Sequence, residues 1–253
     1  GAELNLSYMS KAGITGFGID VAKVYLSSNN LGKRDRMMVN VFLEHRFKFM
    51  DEKFDITPGV AVNYFSDFKF HAFPGLDIGY KLNDNLKAYG NIGYTYRVPT
   101  YTDLFYSDPT TLGNENLDPE EAISEELGLK YNAGNFVASI AAFNRDSNKL
   151  IDYVKENEND LWQATNIRDL NTKGVEINTS YNFKIGANNQ SIKAGYTFLE
   201  DDLKALNVNF SRYSINSIKH HFTANLNTQF IKNLSHNIIY KYAERTSGDS
   251  YAV

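Results

Sequence analysis

The sequence predicts an all-β chain, an antiparallel transmembrane β-barrel of which part of the wall is present. Three observations carry this. Apolar and polar residues alternate with period two along about twelve segments, as strands with one apolar face require. Many of these segments run ten to fourteen residues, about twice the common strand length of roughly 5 to 6 and enough for the roughly 9 to 11 residues of a tilted membrane crossing. The connections fall into a short and a long class that largely alternate, the asymmetry of outer-membrane barrels.

In order, the pattern places strands near 2–10, 14–28, 36–50, 54–64, 68–81, 86–96, 123–133, 135–146, 175–183, 189–201, 222–230 and 234–246. It is clearest where Val175, Ile177, Thr179, Tyr181 and Phe183 alternate with Glu176, Asn178, Ser180 and Asn182. Short connections are expected at Ser10–Gly13, Met50–Lys53, Leu82–Asn85, Asn132–Asn135, Gly186–Asn189 and Lys232–Leu234. Long ones are expected at Ser28–Asp35, Val98–Ala122, Asp146–Asn171 and Asp201–Ile215, with the short Phe65–Phe68 as the exception. Ser250–Val253 reads as the opening of another strand.

Composition narrows the function classes. Apolar residues make up 42% of the 253 and the mean hydropathy is −0.42. The longest apolar patches, such as Phe136–Phe143, fall far short of the roughly 20 residues of a membrane helix. Without Cys there is no disulfide framework and no thiolate ligand or nucleophile. A net charge of −4 gives no basic footprint for nucleic acid. The competing fold is a soluble sandwich, but its polar face would be rich in Lys and Glu, whereas this one is rich in Asn, Ser, Thr and Gly. Tyr64, Phe65, Tyr94, Tyr96, Tyr131, Tyr181, Phe183, Tyr240 and Tyr242 recur near strand ends, where an aromatic girdle would sit.

The segment Tyr96–Leu129 (YRVPTYTDLFYSDPTTLGNENLDPEEAISEELGL) closely resembles the hallmark stretch of TonB-dependent outer-membrane receptors. Arg97 and Pro99 end a strand, and Leu104, Gly113, Asn114, Asn116, Leu117, Pro119, Glu120, Glu126 and Gly128 hold the remaining motif positions. Asn144–Tyr153, Asn166–Glu176, Ser27–Arg36, Phe42–Phe47 and Phe73–Gly75 also fit, and Tyr213–Phe222 resembles the vitamin B12 receptor branch. The resemblance spans nearly the whole chain, read as residues 1–253 of one barrel domain. It implies about 12 strands of the 22 that such plugged transporters have, with the N-terminal plug, the energy-coupling segment and the C-terminal strands outside the chain. Two open sheet edges in lipid would cost several kcal/mol per unpaired group, so the piece is not expected to be a complete membrane unit.

The resemblance further implies a receptor in the outer membrane of a Gram-negative bacterium, importing a bulky scarce nutrient. Cobalamin-type cargo leads on Asn166–Glu176 and Tyr213–Phe222, with a ferric siderophore or haem second. Partners implied are that cargo, outer-membrane lipid, the TonB–ExbB–ExbD complex acting through the plug, and a surface lipoprotein over the loops. A passive porin or adhesin is the competing class, distinguished by whether a plug is encoded ahead of Gly1.

Among single residues, Tyr101, Phe105, Tyr106, Tyr153, Trp162 and Tyr213 lie in or beside long connections and are the ligand candidates, since aromatic rings give broad contact at low entropy cost. Their alternative role is a girdle at headgroup level or loop packing. Pro99 lacks an N–H and can end a ladder, while Asp108-Pro109, Gly113-Asn114 and Asp118-Pro119 are turn formers; the motif is therefore read first as conformational. His220 and His221 are adjacent on a strand and face opposite sides, so they cannot chelate one ion. Asp201-Asp202 after Glu200 lacks the spaced ligand series of a calcium loop. Glu120, Glu121, Glu125 and Glu126 have no evident acid–base partner, and neither a nucleophile elbow nor a phosphate loop is present. No enzyme activity, metal or cofactor is expected.

Overall fold

The computed structural model describes residues 1–203, 208–212 and 217–252. In chain order the elements are β1 (Ala2–Ser10), β2 (Gly13–Ser28), β3 (Gly32–Phe49), β4 (Phe54–Phe65), β5 (Lys69–Lys81), β6 (Leu86–Arg97), α1 (Tyr101–Phe105), β7 (Thr111–Leu112), β8 (Glu120–Ala133), β9 (Phe136–Lys155), β10 (Trp162–Ile185), β11 (Asn188–Leu203), β12 (Phe210–Ser211), β13 (Ile218–Ile231), β14 (Leu234–Arg245) and β15 (Ser250–Ala252). All strands join one sheet. Its long members pair with their neighbours in sequence, antiparallel throughout, from β1 to β15. The twelve long strands are those expected, and β15 is the anticipated further one.

Directly opposed residues on antiparallel strands share a face, so the register sorts the wall. One row runs Leu6, Phe17, Leu43, Val60, Pro74. Another runs Gly90, Leu127, Ala142, Val175, Phe198. On the other face, Ser7, Gly16, Glu44, Gly59, Gly75, Gly93, Ser124 and Arg145 form a row with no large apolar side chain. The apolar face is not covered by protein: Leu127 is 69% exposed and Leu43 51%. Soluble monomers rarely expose apolar patches beyond a few hundred Å². An apolar belt that crosses the wall strand by strand is what lipid would cover, and a sandwich would have buried it against a second sheet.

At the short-turn end the apolar face carries aromatic contacts, Phe47–Phe49–Phe54 at 6.3 and 5.9 Å and Tyr131–Phe136–Tyr181–Phe183 at 6.1, 6.4 and 5.2 Å between centroids. The opposite end has Tyr64 against Phe70 at 4.8 Å. Where β5 and β6 stop pairing beyond Gly75↔Gly93, the rings of Phe65, Phe73 and His71 gather on Tyr96, whose hydroxyl lies 2.7 Å from His71 Nε2. Tight hairpins use glycine where backbone geometry requires it: Gly134 (φ 68°) and Gly186 (φ 61°) open the turns between β8 and β9 and between β10 and β11.

Two expected long connections are mostly strand. The Ser28–Asp35 stretch is a turn of Asn29–Leu31 between paired strands, with Ser28 opposite Gly32. The Asp146–Asn171 stretch continues the β9–β10 ladder as far as Gln163↔Val154, across register shifts at Asn166/Arg168 and Arg168/Leu170. At about 3.3 Å per residue, the 24 residues of β10 span about 80 Å along the strand, against an apolar band about 25 Å tall. Even tilted, the strand projects well beyond the membrane. There both faces meet water or loops, so the two-residue period fades while the backbone ladder continues.

Candidate functional site

The long connection between β6 and β8 folds onto that projecting β9–β10 hairpin. Thr100 caps α1 by accepting from Asp103 N, and the Asp103 carboxylate accepts from Thr100 N in return, closing a capping box. Leu104 of α1 joins Leu117, Ile151, Tyr153 and Ala164 in the buried apolar cluster, with Phe68, Phe105 and Trp162 packed around it. Gly113 passes so close to α1 that a Cβ there would lie 2.8 Å from Leu104 C and from Phe105 N.

The motif residues are the fasteners. Arg97 makes a bidentate pair with Glu120, directly opposite across β6 and β8, and stands 3.7 Å from Asp103. Glu120 also accepts from Ile151 N at 2.9 Å. Pro99 is almost fully buried, its carbonyl taken by Arg36 Nη2 at 3.0 Å while Arg36 pairs with Asp67. Asn114 donates to Ala164 O from its side chain and to Asp103 O from its backbone, and accepts from Asn116 N. Pro119, without an N–H, immediately precedes the first ladder pair of β8. Asn166 clamps Asp118 through both its backbone N–H and its carbonyl.

Neighbouring loops are tied in as well. Asn30 exchanges hydrogen bonds with the Ser107 backbone. β7 pairs with one edge of the β10 tip and β12 with one edge of the β9 tip. Both exposed edges of a projecting hairpin, ordinarily open to further strand pairing, are thereby capped by strands from two different loops.

Between these loops lies a polar cavity of about 600 Å³, bounded by Arg97, Asp103, Tyr106, Asp108, Tyr153 and Arg212, with Thr100, Thr102, Thr110, Thr111 and Ile151 completing the wall. Its charges cancel, two arginines against two aspartates. Asp108 accepts from Thr110 N (2.7 Å), Thr110 Oγ1 (2.8 Å) and Tyr106 Oη (2.9 Å). These donors, the Thr110 amide first, hold its carboxyl down to about 2. Tyr106 is correspondingly pushed up by its bond to Asp108.

Of the ligand candidates, Tyr106 and Tyr153 line this cavity. Tyr101 and Phe105 do not: Arg36 stacks on Tyr101 at 5.0 Å and Arg34 on Phe105 at 3.6 Å, anchoring α1 to β3. Trp162 stands behind, with Lys155 Nζ at 5.0 Å and Arg212 Cζ at 5.1 Å from its ring. Tyr213 lies outside the described residues. Sequence reasoning missed Arg212 and the threonines; the Asp108-Pro109-Thr110-Thr111 turn was visible, but which way its hydroxyls point was not. Among the described residues no group of three metal-binding side chains assembles.

The family model "TonB dependent receptor-like, beta-barrel" matches residues 3–252. The chain belongs to the TonB-dependent receptor β-barrel family. Within that family it is 25% identical over 184 residues to the vitamin B12 transporter BtuB of Vibrio vulnificus, covering 69% of this chain and 28% of that one. It is 26% identical over 149 residues to the ferric enterobactin receptor PirA of Pseudomonas aeruginosa, covering 49% and 20%. The crystal structure of the siderophore receptor PirA from Pseudomonas aeruginosa superposes with a TM-score of 0.75 at 20% identity, over 99% of this chain and 45% of that one. The enterobactin complex of the Pseudomonas aeruginosa receptor mutant PfeA Q482A gives 0.74 at 15% identity, over 99% and 44%. The TonB-dependent receptor barrel described here therefore spans less than half of each of these proteins, and its solved neighbours speak for its fold.

Proposed function

We propose that this chain is part of the wall and loop cap of a receptor in a Gram-negative outer membrane, importing a bulky nutrient with energy delivered through TonB. Cargo is captured at the long-loop end, and a plug inside the barrel then rearranges under the pull of the TonB–ExbB–ExbD complex. The barrel contributes a lipid-facing belt, a polar lumen and the capturing loops.

Cobalamin-type cargo is the reading favoured. The observation that carries it is the charge-neutral, hydroxyl-rich cavity bounded by Thr102, Tyr106 and Arg212. A corrinoid edged with neutral carboxamides suits a polar lining without net charge, in which Thr102 and the tyrosine hydroxyls stand beside threonines already bonded to Asp103, Asp108 and Arg212. A strongly anionic ferric catecholate needs excess positive charge, which a lining of two arginines and two aspartates does not supply. The relatives support both cargoes, since one is a vitamin B12 transporter and another a ferric enterobactin receptor.

Calorimetry on the full-length receptor decides between them. Saturable binding of cyanocobalamin without competition by a ferric catecholate is expected. Binding of the ferric catecholate alone overturns the cobalamin reading in favour of the siderophore one.

A further inference from the structure

The geometry points to Arg212 as the anchor for a single oxyanion of the cargo, a phosphodiester or comparable group. The assignment rests on the cavity being the cargo site, and deepens that reading by naming the group that is recognised.

The cavity holds two arginines that are not equivalent. Arg97 is spent, its guanidinium forked onto Glu120 and close to Asp103. Arg212 has no carboxylate partner among the described residues, and its guanidinium donates once, from Nη2 to Thr111 Oγ1 at 3.1 Å. A guanidinium has five N–H donors in a fixed fork, and among the described residues four of those of Arg212 make no hydrogen bond.

The group is also held in place before any ligand arrives. Its backbone N–H donates to Tyr153 O at 2.8 Å, directly after β12 pairs with β9. Its Cζ stands 5.4 Å from the Tyr153 ring and 5.1 Å from the Trp162 ring, both within cation–π range. Rings restrict the guanidinium while leaving its edge donors open, whereas a carboxylate would have consumed them. Thr111 is buried, so its hydroxyl fixes the orientation of the fork without competing for water.

The acidic groups nearby do not take the role of counter-ion. Asp103 is engaged by Arg97, Thr100 and Tyr153, and Asp108 by Thr110 and Tyr106. Lys155, 5.0 Å from the same Trp162 ring, adds positive charge on the Arg212 side. The cavity is therefore neutral in sum and polarised in detail, which suits a largely neutral ligand bearing one negative group.

The test uses the full-length receptor, wild type and Arg212→Gln, titrated calorimetrically with cyanocobalamin, with cobinamide (which lacks the nucleotide phosphodiester) and with a ferric catecholate. Arg212→Gln is expected to weaken cyanocobalamin by about 10- to 100-fold, the weight of hydrogen bonds to a charged group, and to leave cobinamide unchanged. Arg212→Lys, with the charge but not the fork, restores part of the loss. If wild type binds only the catecholate, the cobalamin reading and the single-oxyanion assignment both fall, because a ferric catecholate spreads its charge over metal-bound oxygens. Equal affinity of Arg212→Gln and wild type for the anion-bearing ligand overturns the assignment, as does equal weakening of cobalamin and cobinamide or wild-type binding of none of the anionic ligands. Heat-modifiable gel mobility of each variant reports that the barrel has folded.

Discussion

Leu117→Ala removes a side chain at the centre of the latch between the β6–β8 connection and the projecting hairpin. Leu117 is 4% exposed and packs with Leu104, Ile151, Tyr153 and Ala164. Three carbons are lost, about 2.4 kcal/mol at roughly 0.8 kcal/mol per methylene. Leu→Ala changes in cores cost about 2–5 kcal/mol once the cavity is included. The cluster lies at a loop junction able to close up partially, so about 2.7 kcal/mol is expected, a hundredfold more frequent opening of the loop. The loss should be local, because the wall below is held by the ladder. Hydrogen exchange on the full-length receptor in detergent reads it at three amides: Gly113 N to Tyr106 O, Asn114 N to Asp103 O and Trp162 N to Thr110 O. Their protection should fall about a hundredfold while β11 and β13 amides keep theirs. Unchanged exchange at all three would refute the latch; equal loss throughout the wall would show that the loop is not an independent unit.

Gly113→Ala places a methyl 2.8 Å from α1 backbone, so the turn or the helix must shift, and exchange at the Asn114 amide should rise as in Leu117→Ala. Leu127→Arg, on the exposed apolar face, should cost about 2–4 kcal/mol if it sits near mid-bilayer, while Ser124→Arg, on the polar face, should be nearly neutral; denaturant unfolding in liposomes compares the two. Asp108, with its carboxyl held down to about 2, stabilises its turn when ionised. That contribution is complete above the unfolded value of about 3.9 and is lost as pH falls towards 2, so exchange at the Thr110 amide should accelerate across that window and not between pH 5 and 8.

The wall was legible in the sequence because lipid on one side and water on the other impose a period of two, and residues such as Val175, Ile177 and Tyr181 report it directly. Legibility ended where the membrane does. Asp146 to Asn171 reads as loop because both faces of that hairpin leave lipid, yet most of its ladder persists on backbone hydrogen bonds that no side-chain pattern records. The motif from Arg97 to Glu120 was visible as residues but not as fasteners. Its partners, Ile151, Ala164 and Asn166, lie 31 to 50 positions from the groups they bind. Arg212 was missed for the same reason. Its meaning comes from Thr111, 101 positions away, and from the two rings behind it. The aromatic residues divided on similar grounds: Tyr106 and Tyr153 face the cavity, whereas Tyr101 and Phe105 hold α1 to the wall.

The central claim is that cargo is captured in the cavity between the latched loop and the segment that carries Arg212. A crystal structure of the full-length receptor with cyanocobalamin, its cobalt located by anomalous scattering, tests this most directly. Cobalt over the cavity bounded by Thr102, Tyr106 and Arg212 is the predicted result, with the nucleotide phosphate on the Arg212 fork. Cobalt bound elsewhere, with that cavity filled only by solvent, would contradict it.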